Sequence, residues 1–564
     1  MKVRSIAVLV LLSACSDGGD ATVRVAPQIV APKGLLDRVR ALKLEVVDAA
    51  SGIACDTARG TTTGITASTA RVASANLTAA ACSGQGRFCG AVEMDTSATA
   101  RVFIATGTDE GGATFMTGCA TAVVDSATSQ VSIKMLRSLP KATCGNGAVE
   151  ITEQCEGTGD AQCDAACHSV EFLVSSASAD NGTVANAAKT APVFAWADGK
   201  GDAGRFFAVF GDGSPGAGND DVSARLLSDV LAPIPTVPFA ASFFLPNDPV
   251  VTPPKALAGN QRHPAVATSG AQKYVVYEDD GTGVDIALRT LDANFKATAL
   301  APLVVSNVAG DQINPAIASG PQGNLFIVWQ DNATSKIFGR TLTLPATLGP
   351  EQELSNGGTN RTPAVAATPS GYLVVWESGG DIKLRVVGAD GTPGGGDTTV
   401  NEAVDGAQEE PRIASLADGR YAIAWTDRAK TDDANVMVQR FAANGRKVAG
   451  DQAKPVHEAQ SKGDQQFPAV AAASAVGGSF VVGWSDKTTG HVRARFLGGS
   501  AGFLLNPTDG TETDFQVSLA EGHTRERVTI ATGGATPAIA FGWEDKQGTA
   551  PTTIVLRRFP APTR

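Results

Sequence analysis

The sequence predicts an all-β protein: a small N-terminal β-sandwich, a short disulfide-rich module and a C-terminal seven-bladed β-propeller. Three observations carry this. One pattern recurs seven times across residues 170–564. Each copy breaks into short apolar runs separated by Gly, Asp, Asn and Ser, with no helical period. The nine cysteines all lie within the first 167 residues, so only the smaller N-terminal parts can be stapled by disulfides.

The organisation in order is a leader (1–14), a linker (15–22), the sandwich-like domain (23–140), the Cys-rich module (141–169) and the propeller (170–564). A chain of 564 residues is too long for one core. Its net charge of -11 lacks the basic footprint that phosphates require, which excludes a general nucleic-acid binder.

Met1-Lys2-Val3-Arg4 is a basic start, and Ile6 to Leu12 is an apolar run too short to span a bilayer. It ends in Leu12-Ser13-Ala14-Cys15, which resembles the lipobox of bacterial lipoproteins. The resemblance implies cleavage before Cys15 and lipidation of that cysteine. The expected partner is then a membrane, reached by a lipid anchor. Ser16 follows the Cys and Asp17 comes one place later, which favours the outer membrane under the sorting rule of such lipoproteins.

From Thr22 onward the strand signals are Leu42–Val47, Arg87–Glu93, Arg101–Ala105, Thr114–Met116 and Gln130–Met135, read as a small antiparallel sandwich. Cys55, Cys82, Cys89 and Cys119 allow two bridges in three connectivities. Cys144, Cys155, Cys163 and Cys167 follow as a second group. The opening of that group, Cys144-Gly145-Asn146-Gly147 with Glu150, Glu153 and Cys155, resembles the Cys-rich repeat of myxobacterial surface proteins. Two disulfides in place of a core would make it a rigid hinge. Asn146, Glu150, Asp160 and Asp164 are a conceivable Ca²⁺ set, since hard cations take oxygen ligands; otherwise no cofactor is expected.

The repeats supply the third region. First strands open at Pro192, Pro264, Pro315, Pro363, Pro411 and Pro468, and at Arg527-Val528 where Pro is lost. The well-aligned openings lie 48 to 60 residues apart. Second strands end in Phe210, Tyr277, Trp329, Trp376, Trp425, Trp484 and Trp543. Two residues on comes Asp212, Asp279, Asp331, Asp427, Asp486 or Asp545, with Ser378 breaking the rule. Third strands end in Arg225, Arg289, Arg340, Arg385, Arg440, Arg495 and Arg558. Weaker fourth strands include Leu303–Asn307, Val400–Ala403 and Val517–Leu519. Four short strands per unit and seven units give a seven-bladed propeller. The last copy stops after its third strand, and Phe172–Ser176 looks like its missing fourth strand, closing the ring.

The blade pattern looks like that of bacterial sialidase-type or WD40-like propellers. It departs from the sialidases in lacking a Ser-x-Asp-x-Gly-x-x-Trp box. Its four tyrosines, Tyr274, Tyr277, Tyr372 and Tyr421, all fall in second strands.

Columns that recur in every blade read as framework. A site is expected where copies differ, on loops entering the first strand and joining the second to the third. The candidate ligand-binding residues are Arg262, Asp311, Asn314, Arg361, Glu409, Glu410, Gln466 and Arg525. This mixture suits a glycan or a polar protein surface. No metal or nucleophile signature accompanies it. The expectation is a non-catalytic binding or scaffolding protein of the cell envelope. The alternatives are a glycoside hydrolase or lyase using loop carboxylates, and an assembly component of an outer-membrane complex.

Overall fold

The computed structural model describes residues 22–137 in part, 171–175 and, apart from the longer loops, 189–560. Residues 1–21, 31–38, 138–170, 176–188, 229–242, 245–258 and 561–564 lie outside the described residues. The leader, Cys15 and the Cys-rich module with its suggested Ca²⁺ ligands therefore fall outside them. The chain divides into two compact units between Lys141 and Ala142. Among the described residues all regular structure is strand, apart from one 3₁₀ turn at Pro321–Gly323.

In the N-terminal unit seven strands form one hydrogen-bonded path. Strand Ala41–Asp48 shows why it forms: Leu42, Leu44 and Val46 point inward and Lys43 and Glu45 outward, a period of two. With Phe103, Met116 and Ile133 they make a single core cluster. Strand Thr22–Val30 departs from the antiparallel expectation. Its first half pairs antiparallel with Val92–Asp95, and its second half runs parallel to Gln130–Arg137. Cys55 and Cys119 are bridged, with Cα atoms 5.8 Å apart, which selects among the three connectivities. Cys89 is also disulfide-bonded.

The second unit is the propeller, seven antiparallel sheets of four to five strands. In blade 4 the strands are Asn360–Thr368, Gly371–Ser378, Asp381–Gly388 and Pro393–Thr399. First strands of neighbouring blades touch all the way round, including blade 7 on blade 1. Crowding at the axis explains their Ala-rich sequence. Second strands fill the space between blades and are almost wholly buried, as in Leu325–Asp331 and Ser479–Asp486. Trp329, Trp376, Trp425, Trp484 and Trp543 are the largest of these side chains, each at most 1% exposed. Truncating such a residue costs about 3–5 kcal/mol.

The arginine column holds the blades' outer parts together. Nη1 of Arg340 donates to Val305 O (2.6 Å), of Arg385 to Leu354 O (2.7 Å) and of Arg495 to Val456 O (2.8 Å), each in the preceding blade's fourth-strand region. In blade 7 Arg557 does this, donating to Val517 O at 2.6 Å, one residue before the expected Arg558. Arg440 instead grips Asp451 through two nitrogens at 2.6 and 2.7 Å.

Fourth strands are short: two residues in blades 1, 5 and 6. In blade 4 the strand lies at Pro393–Thr399, just ahead of the expected Val400–Ala403. Phe172–Ser175 pairs antiparallel with Thr553–Pro560, Phe172 opposite Leu556 and Leu173 opposite Val555. It supplies the fourth strand of blade 7 and closes the ring.

Candidate functional site

The start of each first strand is not a smooth ladder. In all seven blades the register shifts there, two residues of the first strand standing opposite one of the second, so that one extra residue bulges. The residue before the proline (before Val528 in blade 7) takes a left-handed backbone. These residues are Ala191, His263, Asn314, Thr362, Glu410, Phe467 and Arg527, with φ between 46° and 55°. None is glycine. A β-branched or bulky residue pays for such a conformation, so the surroundings must hold it in place.

The holding group is a residue that sequence reasoning passed over, the one directly after the Trp-class aromatic. In four blades its side chain accepts the bulge N–H of the next blade. Glu278 Oε1 takes Asn314 N at 2.7 Å, and Gln330 Oε1 takes Thr362 N at 3.3 Å. Glu377 Oε1 takes Glu410 N at 2.7 Å, and Glu544 Oε1 takes Ala191 N at 2.6 Å, across the closure. In blade 5 the equivalent Thr426 is too short to cross. Its hydroxyl donates to Glu410 Oε2 at 3.0 Å, and that oxygen accepts Phe467 N at 3.1 Å instead. All four linking side chains are less than 9% exposed. The signal was present in the sequence as a second polar column beside the Asp column.

The expected turn role of the Asp column holds. Asp331 Oδ1 accepts Thr334 N at 2.8 Å and Asp486 Oδ1 accepts Thr488 N at 3.0 Å. The amides three residues before the prolines, Gln261, Gln312, Asn360, Gln408 and Gln465, are buried at 0–1%. Trp376 Nε1 donates to Asn360 Oδ1 and Trp425 Nε1 to Gln408 Oε1, at 2.9 and 2.7 Å. Those amides are framework.

Seven of the eight candidate ligand-binding residues lie at or just before the starts of first strands, and of these Arg361 and Glu409 contact each other. Arg262 reaches Asp280 at 3.4 Å and Glu278 at 3.9 Å. Burial opposes ionisation of Asp280, but its hydrogen bonds from Asn260 and the Arg262 charge hold its carboxyl below the usual range. Arg361 contacts Glu377 and lies 3.4 Å from Glu409, which in turn pairs with Arg428 at 2.5 Å. Asn314 Nδ2 donates to Gln330 Oε1 at 3.2 Å and Gln466 Nε2 to Asp464 Oδ2 at 3.3 Å. Asp311 is exposed, and its carbonyl accepts Asn332 N at 2.8 Å. Arg525 leaves the set. It is 2% exposed, and its guanidinium is committed to Gly490 O, Ala520 O and Asp545 at 2.7–2.8 Å.

Arg412 breaks the repeat inside the channel. Its position holds Val193, Ala265, Ala316, Ala364, Ala469 and Thr529 in the other blades. Water reaches the side chain, yet protein surrounds it. Desolvation draws its pKa below the ordinary arginine value, against the charges of Glu410 and Glu377 and with that of Arg527. Burial pushes the Glu544 carboxyl up from its usual range, while the Ala191 N–H and Arg527 oppose the rise. The four tyrosines are buried in blade packing, at most 2% exposed, and desolvation raises Tyr372 and Tyr421 to about 12. No cluster of His, Cys, Asp and Glu suited to a metal occurs among the described residues.

No family model matches the chain, and no curated protein does. Solved structures share the fold at low identity. A protein of unknown function from Dyadobacter fermentans DSM 18053 is 10% identical, over 69% of this chain and 98% of its own, with a TM-score of 0.38. The α-L-arabinofuranosidase Arb93A from Fusarium graminearum is 11% identical, over 53% and 92%, with a TM-score of 0.36. The NanB sialidase from Streptococcus pneumoniae is 9% identical, over 93% and 94%, with a TM-score of 0.36. These likenesses concern the fold alone. They correct one expectation. Structures with this fold include enzymes by name, so the absence of catalysis expected from the sequence is not retained.

Proposed function

We propose that the propeller is a recognition module that binds a polar ligand, a glycan or a polar protein surface, at the bulge-bearing mouth of its channel. One observation carries this reading. Seven equivalent backbone positions share the same strained conformation, four of them held by buried linkers from the preceding blade, yet they present seven different side chains. A framework requirement would repeat the residue as well as the backbone. Rigid positions bearing variable side chains are what a binding surface needs. Arg412, Arg361 and Glu409 extend the same non-repeating face.

The lipid tether at Cys15 and an outer-membrane address belong to the same reading, supported by the Leu12–Cys15 sequence. Cys15→Ala should abolish incorporation of an alkyne-labelled fatty acid; undiminished labelling would remove the tether.

The function is tested with a glycan array and an envelope pull-down, using the purified protein beside Arg412→Ala and Arg361→Ala. Binding weakened about tenfold or more by either change supports the face. Binding that neither change affects, or no binding in either assay, refutes it. Chromogenic glycosides run in parallel read turnover directly.

A further inference from the structure

The other end of the channel carries a second departure from the repeat. Near the end of each first strand one position reads Trp196, Thr268, Ser319, Ala367, Ser415, Ala472 and Thr532 around the ring. The residues divide into two arcs. In blades 4 to 6 they are alanine, or Ser415, whose hydroxyl donates to Ala367 O. In blades 7, 1, 2 and 3 they are an indole flanked by three hydroxyls. Thr268, Ser319 and Thr532 make no side-chain hydrogen bond among the described residues. These four side chains line one cavity of about 430 Å³, together with Ala195, Val266 and Ile317. That volume lies within the roughly 300–1,000 Å³ of small-molecule sites.

Trp196 is fixed there by its neighbours. It meets Phe206 edge to face, with ring centroids 4.8 Å apart. It also packs against Gly533 of blade 7, where a Cβ would fall 2.1 Å from the ring, so only glycine admits the indole. The other five tryptophans are buried inside blades. This one alone reaches a cavity.

We propose that this cavity is a second binding site, for one uncharged sugar ring, independent of the polar mouth. The lining holds no charged group, so an ion would be desolvated there without compensation. A flat indole offers a stacking surface to the C–H face of a sugar. Three hydroxyls on facing blades can each donate to and accept from its hydroxyl groups. A purely apolar guest would leave those three hydroxyls unpaired.

The tryptophans themselves supply the assay. In the intact protein, acrylamide should quench Trp196 selectively, since the other five are shielded. Methyl glycosides of glucose, galactose, mannose and N-acetylglucosamine are the probes. At least one should shift the emission saturably and protect against quenching. Isothermal titration provides the readout that survives loss of the fluorophore. Trp196→Ala should weaken binding about tenfold. Thr268→Ala or Ser319→Ala, small changes that leave blade packing intact, should each weaken it about fivefold. No saturable response to any glycoside overturns the proposal. So does equal or tighter binding of cyclohexanol. Binding lost in Arg412→Ala but kept in Trp196→Phe would place the sugar at the polar mouth and also overturn it. The polar-mouth reading stands or falls separately, on Arg412 and Arg361.

Discussion

Replacing Glu377 tests whether the buried linkers hold the ring. This side chain is 4% exposed, and one oxygen accepts both the Glu410 N–H of the next blade and the Thr362 hydroxyl. Its other oxygen accepts from Arg361 Nε. Glu377→Ala strands two donors in a site water does not reach, at about 1–3 kcal/mol each, so the expected loss is about 4 kcal/mol. For a unit of roughly 400 residues, unfolding entropy near 2.1 cal/mol/K per residue turns that into a fall in Tm of about 5 °C. Glu377→Gln keeps an oxygen for both donors and loses only the charge facing Arg361, whose side chain is 52% exposed. That pair is worth at most about 1 kcal/mol, or about 1 °C. Calorimetry on the two variants checks the pair of values. If the alanine variant melts within about 1 °C of the parent, or the glutamine variant falls as far as alanine, the linker argument is wrong.

Three other outcomes are expected. Asp451 is buried against Arg440 and Lys454; burial opposes its ionisation, but their hydrogen bonds and charges prevail and hold its pKa below the ordinary value. Its contribution is therefore fully present above the unfolded value of about 3.9 and is lost as pH falls through the lower folded value. Asp451→Asn should cost about 3 kcal/mol at neutral pH, and urea titrations should show the gap to the parent narrowing below about pH 4. Deleting Val170–Ser176 should broaden the thermal transition of the propeller, because blade 7 is left with three strands; an unchanged transition would contradict closure through Phe172–Ser175. Serine at both Cys55 and Cys119, which close a loop across a separation of 64 residues, should lower the N-terminal unit's stability by about 4 kcal/mol in denaturant titrations.

The sequence makes the propeller legible because each blade repeats the same local problem. A small strand meets the axis, a bulky one fills the gap, and an Arg reaches across. The closing strand was legible for the same reason, as a fourth strand without a blade. The link from Glu377 to Glu410 was not, since its partner lies 33 residues on and donates through its backbone, which carries no side-chain signature. The left-handed bulges were hidden too. Thr362, Phe467 and Arg527 are not residues that local rules place at positive φ. Arg525 looked like a loop cation because its blade has lost the proline, but it replaces the buried amide of the other blades. Trp196 passed unnoticed because it stands in an apolar strand, where an aromatic reads as packing.

The closing strand also decides how the protein responds to force. The chain enters the ring through Phe172–Ser175, so tension from the N-terminal side meets the Phe172–Leu556 and Leu173–Val555 pairs before any other part of the propeller. Three ladder pairs interrupted by a bulge are a small resistance compared with the eight-residue registers inside the blades, such as that between Gly371–Ser378 and Asp381–Gly388. The seam is thus a mechanical fuse. A pull should open blade 7 first and break the circle while the other six blades remain whole.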